Sequence, residues 1–316
     1  MRGAVRTVLG DVPAGDLGVT NYHEHLFQVS PLLVGDELDD EALSGAEAAS
    51  LTAAGTRAMV EATPTGLGAR PDAVARISAA TGLHVVHATG AHHSGHYPTG
   101  HRLLTATEDE LAARFAEDVE VGLRLPGGAR ALTPAGRPVR AGIVKGAARY
   151  WSVDAFGRRV LTACAATAVR TGAAVMVHLE HGSAAHEVLD LLAAEGVTGD
   201  RVVLAHVDRN LDPGLHASLV ERGAYLGYDG AARHREAPDS AVLDCLVRTV
   251  ETVGDERIVL GGDVARASRY RSYGGMPGLD YLAQRFLPRV RASLGEAATA
   301  RLTVDNPARL LALHGG

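Results

Sequence analysis

The sequence predicts an α/β protein: a (β/α)8 TIM barrel with a short N-terminal β-hairpin. From Val19 onward, short apolar segments alternate with helical segments, and eight such strands can be counted. Strands joined by helices form a parallel sheet, and eight of them in about 250 residues suit a closed barrel better than an open sheet. A doubly wound sheet is the alternative, but no G-x-G-x-x-G motif follows the early strands.

Each element follows from local pattern. Residues 1–18 carry turn signals at 10–13 and 14–16, which predict a hairpin leading into the barrel. The predicted strands are short and apolar: 19–27, 57–62, 83–88, 141–145, 174–178, 201–206, 225–228 and 258–263. The predicted helices lie between them: 39–54, 71–80, 108–123, 155–171, 184–195, 213–222 and 240–253. No segment resembles a linker, so residues 1–316 are predicted to form one domain.

Composition excludes several classes of protein. The formal net charge of −6 argues against a nucleic-acid partner. No apolar run is long enough to cross a membrane, and the N-terminus lacks the apolar segment of a secretory signal. Cys164 and Cys245 fall in helical, Ala- and Leu-rich contexts and are expected to be reduced core residues. We therefore expect a cytoplasmic protein that binds neither membranes nor nucleic acid.

The first barrel strand carries two histidines two residues apart, His23 and His25. Side chains at this spacing project from the same face of a strand. Two imidazoles near the end of a strand are placed to hold one metal ion. A histidine pair on an ordinary strand is the alternative at this point.

Further ligand-type residues end other predicted strands. They are Lys145, His178, His206 and Asp263. In a barrel, strand ends converge on the C-terminal rim, where barrel enzymes place their active sites. A single lysine is usually a solvated charge, and a single strand-end histidine is more often structural than a ligand. Lys145, however, follows an apolar run in which a buried ammonium would be costly. The set as a whole therefore predicts a metal centre.

These residues carry a resemblance to a known family. The motifs are His23-Glu24-His25, Ala141-Gly142-Ile143-Val144-Lys145, Val177-His178, Ala205-His206 and Gly261-Gly262-Asp263. Together they resemble the phosphotriesterase family of the amidohydrolase superfamily, and the likeness runs from residues 16–18 to 305–309. The resemblance implies two divalent metal ions, usually zinc, on a distorted barrel, and a homodimer.

The resemblance also implies a role for each ligand. His23, His25 and Asp263 would hold the buried metal ion, and His178 and His206 the more exposed one. Lys145 would bridge both ions as a carbamate formed with carbon dioxide, because a carbamate offers two anionic oxygens where an amine offers none.

The same residues suggest a mechanism. A hydroxide that bridges two metal ions has a depressed pKa and is a nucleophile at neutral pH. Asp263 would accept its proton and pass it toward the leaving group, so Asp263 and Lys145 are the predicted catalytic residues. Asp208 either extends this proton path or caps the loop at Asn210.

The substrate has to be inferred from the loops that follow the barrel strands, since many hydrolases with different substrates share such a metal centre. Lactone-opening members of the family often carry an aromatic residue two positions after the Thr-Gly that ends the third strand. Here Thr89-Gly90 is followed by Ala91 and His92, which disfavours acyl-homoserine lactones. The pocket loops around His92 and Tyr150 are polar, which disfavours apolar phosphotriesters. Both residues are predicted to contact the substrate.

Arginines follow the last two strands, among them Arg233, Arg266 and Arg269. Their guanidinium groups match phosphate or carboxylate oxygens in pairs, so they predict an anionic substrate. They also resemble the sugar-lactone branch of the family. The alternative is that they pair with acidic neighbours, Asp229, Glu236 or Asp239, and hold the loops.

The function predicted from these features is a metal-dependent lactonase that opens a sugar lactone, phosphorylated or otherwise anionic. Within enzymes, the alternative is hydrolysis of a phosphotriester, another phosphoester or a carboxylic ester. The alternative from a different class is a catalytically silent binding protein. The presence of every ligand type disfavours that alternative.

Overall fold

The computed structural model describes residues 3–233 and 235–314. Its strands are β1 (Ala4–Thr7), β2 (Gly10–Pro13), β3 (Thr20–Glu24), β4 (Ala58–Glu61), β5 (His84–Gly90), β6 (Ile143–Ala148), β7 (Ala174–Leu179), β8 (Val202–Ala205), β9 (Tyr225–Tyr228) and β10 (Ile258–Leu260). Its α-helices are α1 (Glu41–Ala53), α2 (Pro71–Thr81), α3 (Arg102–Thr105), α4 (Glu108–Glu120), α5 (Ala155–Thr171), α6 (Ala185–Ala194), α7 (Pro213–Glu221), α8 (Asp239–Val253), α9 (Leu287–Ala300) and α10 (Asn306–Leu311). Two π-helical turns, Leu282–Phe286 and Arg301–Asp305, flank α9.

The sheet has the topology of a barrel. Strands β3 to β10 lie side by side in chain order, and every pair is parallel. The first and last strands meet where the amides of Gly262 and Asp263 donate to the carbonyl oxygen of His23, at 3.3 and 2.9 Å. Strands β1 and β2 form the separate antiparallel hairpin. The predicted (β/α)8 barrel with an N-terminal hairpin is therefore confirmed, while the assignment of 1–316 to one domain stays a prediction.

Several predicted boundaries are wrong. The hairpin turns at residues 8–9, and the predicted turn at 10–13 is instead strand β2. Strand β6 continues to Ala148, so Lys145 lies inside it rather than at its end. Strands β8 and β10 stop at Ala205 and Leu260, before His206 and Asp263. Helices α9 and α10 follow the last barrel strand and had no predicted counterpart.

Alternate residues of each strand enter two different apolar clusters, as the two-residue period of a strand requires. Inside the barrel lie Val60, Val86, Ile143, Met176 and Val203, among others. Between the sheet and the helices lie Met59, Val85, Val144, Phe115 and Leu161, among others. Val5, Leu17 and Leu310 join the inner cluster from the hairpin and from α10. They close the N-terminal end of the barrel and leave the polar site at the other end.

None of the helices within the described residues is long and apolar enough to cross a membrane.

A buried arginine ties the C-terminal segment to the barrel. The guanidinium of Arg201, which precedes β8, donates to the carbonyl oxygens of Gly172, Leu310 and Ala312 at 2.7, 3.1 and 3.1 Å. Because Arg201 is only 9% exposed, these carbonyl groups have little access to water. Their loss of a partner would carry a desolvation cost.

We predict that Arg201→Ala lowers the free energy of unfolding by about 2–4 kcal/mol, since it removes the guanidinium partner of three carbonyl groups that have little access to water. Urea denaturation measures this. Arg291→Ala is the control, because Arg291 pairs with Glu296 on the surface and should cost less than about 1 kcal/mol. Equal losses in the two variants would contradict the role of Arg201.

Candidate metal centre

Three predicted ligands meet at the end of the first barrel strand. His23 and His25 both direct Nε2 toward Oδ1 of Asp263, at 3.6 and 3.4 Å. All three side chains are buried, and their ligand atoms lie within 4.8 Å of one another. A histidine pair with one carboxylate is a donor set typical of zinc. The structure therefore brings together the residues predicted to hold the buried ion.

Unusual backbone angles bring two of the predicted ligands into position. His206 and Asp263 have φ values of 65° and 42°, in the left-handed region that non-glycine residues seldom adopt. Each lies beyond the end of its strand, where the chain turns away from the sheet. Such strain persists where the surrounding structure over-determines it, commonly at functional sites.

A buried carboxylate, Asp229, orients two of the histidines. Its oxygens lie 2.9 Å from Nδ1 of His23 and 2.6 Å from Nδ1 of His206, and it accepts a further hydrogen bond from the Tyr22 hydroxyl. Burial would raise the pKa of Asp229, but the charges and hydrogen bonds of His206 and His23 lower it below its usual value. The ionised carboxylate thus fixes the Nδ1–H tautomer of both rings.

A third histidine is fixed in the same tautomer by a neutral group. Nδ1 of His25 lies 2.6 Å from the hydroxyl oxygen of Thr63, which itself donates to the carbonyl oxygen of Phe27. The His25 ring must therefore donate, which leaves its Nε2 with a free lone pair. Polar partners on the far side of metal-bound histidines are a recurrent feature of metal centres.

His178 and His206 form the second predicted group. Their ring centroids lie 4.6 Å apart, and Nε2 of His178 is buried with no hydrogen-bond partner among the described residues. Burial lowers the pKa of His178 far below its usual value and that of His206 to about 3. Burial likewise lowers the pKa of His25 to about 3. Neutral imidazoles carry the lone pairs that a metal ion needs, so the donor set fits metal binding.

Lys145 lies in the middle of this group. It is the only lysine in the sequence, it is 1% exposed, and its Nζ lies 3.3 Å from Nε2 of His23. Burial lowers its pKa to about 8, while the charge of Asp263 opposes that shift. Gly90 permits the close approach of β5 to β6 at this point, because a Cβ there would overlap the Lys145 carbonyl group. The amine is thus poised in part as the neutral, nucleophilic form.

The second oxygen of Asp263 is held by two arginines. Oδ2 accepts from Nη2 of Arg209 at 2.9 Å and from the Arg233 guanidinium. Both arginines also pair with Glu236, at 3.3 and 3.6 Å. Burial would raise the pKa of Asp263, but Arg233 and the neighbouring histidines hold it well below its usual value. Asp263 is therefore kept ionised and in a fixed orientation.

The predicted substrate-binding residues separate into different environments. His92 is buried, with its ring 4.4 Å from that of His178. Arg233 contacts Asp263 as described, whereas Arg266 is exposed and lies 3.6 Å from Asp36 on the rim. Arg269 is half-buried, and no ion pair of its side chain is found among the described residues. Burial and the charge of Arg233 lower the pKa of Arg269 to about 10.

Tyr150 lines the mouth of the site rather than its floor. Its side chain is 58% exposed, on a pocket of about 600 Å³. The pocket is also lined by Trp151, Glu180, His181, Ser183, Arg209 and Asn210. Because Arg209 bonds Asp263, this pocket opens beside the candidate metal centre. A larger cavity, of about 1190 Å³, lies against α3, α4 and the segment after β4, and none of the predicted ligands lines it.

Sequence reasoning missed several residues that shape the site. Asp229 was considered only as a partner for arginines, although it follows a strand as the predicted ligands do. No sequence feature singles out Arg209 as a residue of the site. Asp208 does not cap Asn210, because its carboxylate accepts from the amide of Gly230 at 2.7 Å. Burial and the charge of Asp229 raise the pKa of Asp208 to about 7.

We predict that Asp229→Asn weakens zinc binding by about 10–100-fold, because an amide cannot accept from both Nδ1–H groups and leaves the histidines poorly oriented. Competition with a chromogenic chelator measures the affinity. Asp255→Asn is the matched control: it also neutralises a buried carboxylate, but one that pairs with Arg301 near the start of β10. Wild-type zinc affinity in Asp229→Asn would contradict the orienting role.

Known proteins are similar to this chain in both sequence and fold. Residues 3–311 match the family model described as the phosphotriesterase family. A phospho-furanose lactonase from Mycoplasmopsis synoviae is 27% identical across 97% of this chain and 91% of its own length. A solved lactonase from Listeria monocytogenes is 28% identical, with a TM-score of 0.89 over 99% of this chain and 100% of that one. A phosphotriesterase homology protein from Escherichia coli, solved with phosphate in its active site, is 25% identical, with a TM-score of 0.83 over 93% of this chain and 99% of that one. The chain therefore belongs to the phosphotriesterase family.

Proposed function

We propose that this hydrolase opens a phosphorylated sugar lactone with two zinc ions bound at the barrel rim. The observation that carries the proposal is the placement of a complete histidine, lysine and aspartate donor set beside a cluster of arginines. The donor set accounts for hydrolysis, and the arginines account for an anionic substrate. A lactone with a phosphate group satisfies both.

The donor set defines where the ions would bind. His23, His25 and Asp263 would hold one ion, and His178 and His206 the other, with Lys145 between them. Two such ions supply Lewis acidity and the activation of water. Lys145 would join the set as a carbamate: its neutral amine adds to carbon dioxide, an N–C bond forms, and one proton is released. A pKa of about 8 provides the neutral amine for this step.

Asp263 has the geometry for proton transfer. A carboxylate at this position receives a proton from the attacking water and delivers it to the ring oxygen as the acyl C–O bond breaks. Arg209 and Arg233 hold Asp263 ionised, so its conjugate acid gives up the proton readily to the leaving alkoxide. The product is a hydroxy acid with its phosphate group unchanged.

The arginines and the related proteins support phosphate on the substrate. Burial and the charges of Arg233 and Arg266 lower the pKa of Arg269, and its side chain has no ion-pair partner among the described residues. A guanidinium in such a cluster gains most from a phosphate dianion. The relative from Mycoplasmopsis synoviae is named a phospho-furanose lactonase, and the Escherichia coli structure contains phosphate in its active site.

We predict that the zinc-loaded enzyme prefers phosphorylated furanose lactones over the same lactones without phosphate, measured as kcat/KM with a pH indicator. Arg269→Ala should raise KM for the phosphorylated substrates by about 10–100-fold, the cost of one charge-assisted contact, and change KM for neutral lactones little. Arg266→Ala is the comparison, with a smaller effect expected because Asp36 already pairs with it. An equal loss on neutral lactones would contradict phosphate recognition.

We predict that Lys145 carries a carbamate in the metal-loaded enzyme. Because the sequence contains a single lysine, [15N]lysine labels one side chain. With 13C-bicarbonate, the carbon spectrum should show one resonance split by coupling to 15N, which an N-terminal carbamate cannot produce. The resonance should vanish in Lys145→Ala. Metal-loaded, active enzyme without the split resonance would contradict the assignment.

A further inference from the structure

A second group of histidines lies beside the candidate centre, on the segment after β5. We call His92, His93 and His96 the loop histidine cluster. Their ring centroids lie 3.8 Å (His92–His96), 4.5 Å (His93–His96) and 4.6 Å (His92–His93) apart. None of them belongs to the set assigned above to the two metal ions. The cluster packs against that set through His92, whose ring lies 4.4 Å from His178.

His93 has one oriented and one vacant ring nitrogen. Its Nε2 lies 3.5 Å from a carboxylate oxygen of Glu180, which is the partner expected for an N–H group. Its Nδ1 is buried and has no hydrogen-bond partner among the described residues. The residue is only 7% exposed, so bulk water has little access to the vacant nitrogen. A carboxylate behind a histidine is a recurrent support for metal ligation.

His96 has a similar arrangement with a hydroxyl group. Its Nδ1 lies 2.9 Å from Oγ of Ser30, and the same Oγ lies 3.3 Å from the carbonyl oxygen of His96. When the hydroxyl donates to the carbonyl oxygen, it accepts from Nδ1–H. This tautomer leaves Nε2 of His96 with a lone pair. Two residues of the cluster thus have a polar partner on one ring nitrogen and a lone pair on the other.

His92 would lose one hydrogen bond if it bound a metal ion. Its Nδ1 accepts a hydrogen bond from the amide of His93 at 2.9 Å. Ligation by His92 exchanges that bond for one to a metal ion, within a loop that has no strand pairing to break at this position. Gly95 gives the loop its tight path, because a Cβ there would lie 3.2 Å from the His93 ring.

We propose that the loop histidine cluster binds a third transition-metal ion, separate from the two ions of the catalytic centre. One ring nitrogen from each histidine lies within 4.8 Å of the others. Tetrahedral zinc with bonds of about 2.0–2.1 Å needs nitrogens about 3.4 Å apart, so the three rings would move closer together when the ion binds. Imidazole ligands suit zinc, nickel and copper, and three of them leave one coordination position for water or substrate.

The experiment compares zinc content among purified full-length chains. Each protein is saturated with zinc and desalted, and its zinc content per chain is measured by inductively coupled plasma mass spectrometry. His93→Gln and His96→Gln should each hold about one equivalent less than wild type, because each removes a ligand. Ser30→Ala keeps all three ligands but loses the support of His96, and should release the third ion at about 10-fold lower chelator concentration.

The control is His84→Gln. His84 is the first residue of β5, at the end of that strand far from the cluster, so this variant should match wild type. Circular dichroism verifies the fold of each variant. Equal zinc content in wild type, His93→Gln and His96→Gln, together with unchanged release from Ser30→Ala, would overturn the proposal.

The test separates this proposal from the proposed function. If the catalytic centre does not bind two ions, wild type and every variant contain less zinc than expected, all by the same amount. The difference of about one equivalent between wild type and the cluster variants remains. Loss of that difference, by contrast, contradicts only the third site.

Discussion

The buried carboxylate of Asp229 is the interaction on which the site depends. It accepts hydrogen bonds from Tyr22, His23 and His206, which come from opposite sides of the barrel seam. An ion with no water around it needs such donors to stay charged. Gly227 makes room for one of them, since a Cβ there would overlap the Tyr22 hydroxyl. Once Asp229 is ionised, both histidines present Nε2 to the same space.

The rest of the site can be understood from this constraint. With the histidines neutral and directed inward, the positive groups nearby are Lys145 and the arginines at Asp263. Arg209 and Arg233 neutralise one face of Asp263 and leave its other oxygen toward His23 and His25. Lys145 is left without a carboxylate within hydrogen-bonding distance among the described residues. Its burial lowers the pKa of the amine to about 8 and so raises the fraction of the neutral form, which reacts with carbon dioxide.

Much of this arrangement was predictable from the sequence, because the two-residue period of a strand is a local property and a β/α barrel keeps its parallel strands in chain order. The spacing of His23 and His25 fixes their shared face, and the parallel order of the strands places His178 near His206. The backbone angles at the strand ends, by contrast, could not be predicted. The left-handed conformations of His206 and Asp263 leave no mark on composition, so the predicted strands ran too far. Asp229 had the same strand-end signal as the ligands, but its role depends on Tyr22, a partner 207 residues away.

The arginines show a second limit of sequence reasoning. A long charged side chain can pair with any of several groups in the sequence, and the tertiary structure determines which of them lies close enough. Arg233 extends to Asp263 and Arg266 to Asp36, and Arg209, which carried no sequence signal, reaches Asp263 as well. The alternative pairing of the loop arginines with Glu236 is found for Arg233, and Arg209, for which no pairing was predicted, lies beside Glu236 too. Asp229, by contrast, forms hydrogen bonds with histidines and, among the described residues, with no arginine.

The most direct test is diffraction at the zinc absorption edge from crystals of the zinc-loaded protein. The account predicts anomalous density at two neighbouring positions, one bordered by His23, His25 and Asp263 and the other by His178 and His206, with Lys145 between them. Density at these positions would establish the centre in which Asp229 orients the histidines. Zinc found only at other side chains, in crystals of active enzyme, would contradict the account.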